Sequence, residues 1–142
     1  MRRALAVLAA LAVTSCSSPA WDHHDYALKA GMTAESAASD VEFVRLAVQH
    51  EPDLTRPYLK TVLTEAAGSL SSLNDQFGAV QPPSASADAM RDQVLGLTQE
   101  AAEQVQDLLI QVRRDRIADP AGAAAALGEV GAELRAFGEA HR

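Results

Sequence analysis

The chain has 142 residues, a formal charge of −7, 22% charged residues and 48% apolar ones. That length suits one domain with a modest core that needs no disulfide, and the acidic balance argues against nucleic acid as a partner. Alanine fills 29 positions while only six residues are aromatic, a mixture that favours closely packed helices over a β-sandwich.

Arg2 and Arg3 form a positive segment, and Ala4 through Val13 follow as ten apolar residues before Thr14, Ser15 and Cys16. This is the pattern of an export signal. A membrane-spanning helix needs about 20 apolar residues to cross a hydrocarbon core of roughly 30 Å, so a run half as long predicts a cleaved signal, not a retained span. Val13-Thr14-Ser15-Cys16 places an aliphatic residue three positions before a cysteine, with small residues between. In this it resembles the lipobox of bacterial lipoproteins. The resemblance covers residues 1–16 alone and implies that the signal peptide, 1–15, is removed. It also implies that Cys16 receives a diacylglyceryl thioether, becomes the first mature residue and holds the exported chain on the extracytoplasmic side of the cell membrane. Two acyl chains, at about 0.8 kcal/mol per buried methylene, anchor stably where one would be marginal. Cys16 is the only cysteine, so an exported chain offers it no internal disulfide partner. Loss of Arg2 and Arg3 takes the charge to about −9, and such a domain is repelled by anionic lipid within a Debye length of roughly 10 Å. The lipid is the expected route to the bilayer.

Residues 16–26 follow as a tether. They include Ser17, Ser18 and Pro19 and show no apolar period, so the domain is expected to begin at Ala27 and fill 27–142. Asp22, His23, His24 and Asp25 are the densest set of metal-ligating side chains in the chain. Imidazole suits zinc, copper and nickel, and a carboxylate can complete the shell, so His23 and His24 are the candidate metal ligands. A merely polar tether is the plainer alternative. Trp21 and Tyr26 flank the cluster and are expected to cap one end of the helical core, with the membrane interface as the other place for such rings.

Four helices are expected beyond the tether. In the first, Leu28, Val41, Val44, Ala47 and Val48 recur at helical intervals up to His50, with Thr33 or Ser39 as alternative starts, and Glu51-Pro52 ends it. The second has Thr55 as N-cap and Pro57 in its first turn. Its apolar residues Leu59, Val62, Leu63, Ala66, Leu70, Leu73 and Phe77 keep an amphipathic rhythm, and Gly78 suits the C-terminal cap. Gln81-Pro82-Pro83-Ser84 makes a linker. The third helix, Ala85 to Arg116, carries Met90, Val94, Leu97, Ala101, Val105, Leu108 and Val112. Asp88 and Asp92 near its start and Arg113, Arg114 and Arg116 near its end complement the helix dipole. Asp119-Pro120 caps the fourth, in which Ala123, Leu127, Val130, Leu134, Phe137 and His141 step by four and three. Gly122, Gly128, Gly131 and Gly138 suggest close helix approach or a frayed end. Short connections predict an all-α, up-and-down four-helix bundle made of two helical hairpins, its rival being an extended pair of hairpins that completes its core in a homodimer.

No catalytic constellation accompanies this pattern. The Glu-x-x-His signature of di-iron bundles is missing, since Ala47 and Gly138 stand three residues before His50 and His141. Pro52 interrupts any zinc-protease reading of His50-Glu51. Glu100 with Glu103 and Glu129 with Glu133 are expected on solvated faces. The expectation is a non-enzymatic envelope lipoprotein whose only attached group is the lipid on Cys16. It binds an envelope protein or a small ligand and no nucleic acid; the alternative is a metal-binding lipoprotein that uses Asp22, His23, His24 and Asp25.

Overall fold

The computed structural model describes residues 22–142, and among these every regular element is helical. They are α1 (His23–Gln49), a 3-10 turn (Glu51–Asp53), α2 (Arg56–Gly78), α3 (Ala85–Arg114) and α4 (Pro120–Ala140). Cys16, the expected export signal, Trp21 and most of the expected tether lie outside the described residues.

Local chemistry accounts for most of the boundaries. The Asp119 carboxylate accepts a bond from Gly122 N at 2.9 Å and Pro120 takes the first helical position, as the Asp-Pro pair predicts. Ser84 caps α3 by accepting from Ala87 N at 3.3 Å. Thr55 stands at the N-cap of α2, but its side chain makes no capping bond. The cap at the other end of α2 differs from the expectation at Gly78. The helix runs through Gly78 and stops at Ala79 with φ −78°, so no left-handed glycine is used there.

The start of α1 is the main correction. The helix begins one turn before Ala27: Asp22 is its N-cap, accepting from Asp25 N at 2.8 Å, and His23 to Tyr26 form its first turn, not a linker. Thr33 and Ser39, the two expected starts, are interior. Their hydroxyls donate back to Lys29 O and Glu35 O at 2.9 and 3.0 Å, the four-residue return bond by which such residues satisfy themselves inside a helix. Alanine and glycine supply too little apolar contrast in this half for the periodicity to mark the true boundary.

Short connections make successive helices antiparallel neighbours, and the four close into an up-and-down bundle. The most extensive pairings are α1 with α4 and α2 with α3, and α1 also meets α3 across the diagonal. Val41, Val44, Leu63, Leu70, Val94, Val105, Leu127 and Leu134 are fully buried along one continuous core. Each such side chain contributes about 1.5–3 kcal/mol by leaving water. Tyr26 joins them at the end where α1 begins, its ring 5.2 Å from that of Phe77. It therefore belongs to the core, on the capping side of the two sequence alternatives. Thr98 is the buried polar residue among those described, and its hydroxyl is satisfied by Val94 O at 2.8 Å.

Candidate functional site

The seam between α1 and α4 is built on small residues. A Cβ added at Gly138 would lie 2.7 Å from Glu35 Cγ and 3.3 Å from Gly31 O, and one at Gly131 would lie 3.2 Å from Val41 Cγ1. Gly131 and Gly138 are thus explained by close approach, whereas a Cβ at Gly122 would meet only its own helix's cap, Asp119, and one at Gly128 would make an ordinary contact with Arg45 Cδ at 3.6 Å. Because the two backbones run close together, the side chains on their outer edges turn outward and border an open groove.

Two adjoining concavities of about 770 and 550 Å³ make up this groove, and both include Glu42 and Arg135. Ala121, Ala124, Ala125, Gly128, Pro52 and Pro120 give the larger one a small, apolar floor. Phe43 and Leu46 border the smaller one. Charged side chains tie the seam at two levels. Arg45 donates to Glu42 through Nε and Nη2 at 2.8 and 2.6 Å, and Arg135 Nη1 of α4 stands 3.9 Å from the same carboxylate. Further along, Arg142 Nε donates to Glu35 at 2.6 Å. Hydrogen bonding from Arg45, helped by the charges of Arg45 and Arg135, holds the Glu42 carboxyl below the ordinary glutamate range against the opposing effect of partial burial. The same contacts push the guanidinium groups of Arg45 and Arg142 further up. The groove therefore presents fixed, neutralised ion pairs around a shallow apolar floor. Such a surface suits recognition of a protein segment or a small ligand.

The sequence candidates are not brought together around a ligand. His23 and His24 are exposed in the first turn of α1, and consecutive helical side chains point about 100° apart. His23 Nδ1 lies 3.4 Å from Ser84 Oγ of α3. Asp22 is committed to capping, and Asp25 pairs with Lys29 at 3.1 Å. Among the described residues no group of three or more His, Cys, Asp and Glu side chains is placed to hold a metal ion. His50 ends α1, with Nδ1 3.9 Å from an Asp53 oxygen. His141, the last residue of the apolar rhythm expected in the fourth helix, is half-buried: its ring stacks on Phe137 at 4.2 Å and Nδ1 lies 2.7 Å from Phe137 O. Glu100, Glu103, Glu129 and Glu133 are exposed, as expected, and so are Arg113, Arg114 and Arg116. No sequence expectation fell on the charged residues of this groove: the i, i+3 spacing of Glu42 and Arg45 is a local signal that could have been read, but Arg135 lies some ninety residues from Glu42 and no local pattern reports it. No family model, curated protein or solved structure matches this chain.

Proposed function

We propose that this protein is a lipid-anchored envelope protein whose helical bundle acts as a non-enzymatic binding module. The observation that carries the proposal is the run from Arg2 to Cys16. A positive start, a ten-residue apolar stretch and Val13-Thr14-Ser15-Cys16 combine charge, length and cysteine position in the order that lipidation requires. Asp22, the cap of α1, follows Cys16 by six residues, at most about 20 Å of extended chain, so the bundle would sit close to the membrane that holds the lipid. The α1–α4 groove, with its apolar floor and ion-paired rim, supports the binding part of the proposal.

Metabolic labelling of the full chain in a bacterial host with a radioactive or clickable palmitate, followed by membrane fractionation, tests it. The wild type should carry label and sediment with membranes, and Cys16→Ala should lose both. A Cys16→Ala protein that stays labelled, or a wild type that takes up no label, would overturn the anchor.

A further inference from the structure

The larger concavity of the α1–α4 groove is lined by one carboxylate and two guanidinium groups, those of Glu42, Arg45 and Arg135, in a chain whose formal charge is −7. The carboxylate is already committed. Both Glu42 oxygens accept from Arg45, at 2.8 and 2.6 Å, while Arg135 Nη1 stands 3.9 Å away, beyond hydrogen-bond range. Arg135 is therefore the surplus charge of the groove. It is half-exposed, lines both concavities, and none of its N–H groups donates to an acceptor among the described residues.

The surplus charge stands at one end of the apolar floor. At about 100° per residue, Ala121, Ala124, Ala125, Gly128 and Arg135 share one face of α4, within an arc of about 100°. From Ala121 to Arg135 this lane runs about 21 Å along the helix, and Pro52 and Pro120 close its far end. Its larger part, about 770 Å³, has the size of a small-molecule site. An extended peptide laid there would turn backbone N–H and C=O groups onto alanine, glycine and proline side chains that offer them no partner. An aliphatic chain has no such groups to strand.

We propose that the groove takes a long-chain fatty acid, its carboxylate held by Arg135 and its aliphatic chain laid along α4 toward Pro52 and Pro120. The guanidinium fork matches the two oxygens of a carboxylate, and the floor takes the chain out of water. A neutral lipid would leave Arg135 unmet, and a small hydrophilic anion would use none of the floor. The inference rests on the reading of this groove as a binding site and is independent of the lipid on Cys16.

Photoaffinity labelling of the full chain tests it, in a detergent-free lysate of a bacterial host, with an alkyne-bearing oleate whose chain carries a diazirine and a dark sample as background. Light-dependent adducts should map to α4 between Pro120 and Arg135, and excess oleate should compete where oleyl alcohol does not. Arg135→Gln should lower the labelling at least about tenfold, Arg135→Lys should retain part of it, and Arg114→Gln, at an exposed position on α3, should leave it unchanged. Absent adducts, adducts spread evenly over the chain, equal competition by the alcohol, or full labelling of Arg135→Gln would overturn the proposal. A photo-crosslinking amino acid in place of Ala125, in whole cells, separates it from the broader reading. A protein adduct there without oleate labelling overturns the fatty acid and keeps the groove as a binding site, whereas no adduct of either kind removes both. Palmitate attachment at Cys16 is read without light, so the anchor stands or falls separately.

Discussion

Tyr26 carries a phenol into the core with no hydrogen-bond partner for its hydroxyl among the described residues, and burial pushes its pKa up. An unmet buried hydroxyl costs about 1–3 kcal/mol, whereas the ring's packing on Phe77 stabilises the fold. Tyr26→Phe should therefore leave the thermal midpoint unchanged or raise it by a few degrees, and Tyr26→Ala should cost about 3 kcal/mol by urea unfolding. A lower midpoint for Tyr26→Phe would mean that the hydroxyl has a partner, such as a buried water. The sequence placed this residue in the tether because the histidines and aspartates before it show no apolar period. What makes it a core residue is contact with Phe77, a partner about fifty positions away that no local pattern reports. The acidic pair sites were legible for the opposite reason: their exposure follows from the helical face they occupy.

At the level of elements, the glycines divide by what surrounds them. Gly96 and Gly68 have open space where a Cβ would go, so alanine there removes only backbone freedom from the unfolded chain. Gly96→Ala should stabilise the protein by up to about 1 kcal/mol. Gly138→Ala should instead destabilise it by about 1–2 kcal/mol, because Glu35 and the Gly31 carbonyl must move for the helices to stay paired. Thermal melts of the two variants check the contrast, and equal shifts would remove close approach as the explanation of the seam. Helices α2, α3 and α4 were legible nearly to the residue, since leucine and valine at steps of three and four stand out against polar neighbours and Asp119-Pro120 marks a start. The first half of α1 was not, since alanine suits core and surface alike and gives little periodic contrast.

Across the whole molecule, Glu42 shows how the last helix is bound to the first. Its carboxyl is held below the ordinary range in the folded state, so its contribution is present above the unfolded glutamate value of about 4.3 and is lost as pH falls through the lower folded value. The stability difference between wild type and Glu42→Gln, measured by urea unfolding, should be constant near neutral pH and shrink below about pH 4. A difference that grows on acidification would reverse the assignment. Four amphipathic segments and their short connections were enough to specify an up-and-down bundle, because a helix with one apolar stripe must bury it and short loops leave few ways to do so. The resemblance of Val13-Thr14-Ser15-Cys16 to a lipobox, on which the proposed anchor rests, is carried by local sequence alone. The tertiary structure decided which helices pair most closely, that His23 and His24 point apart at the start of a helix, and that Arg135 and Arg142 reach Glu42 and Glu35. These depend on distances between residues remote in the chain, set by how closely small side chains let two backbones approach. Periodicity along one segment carries no record of that spacing.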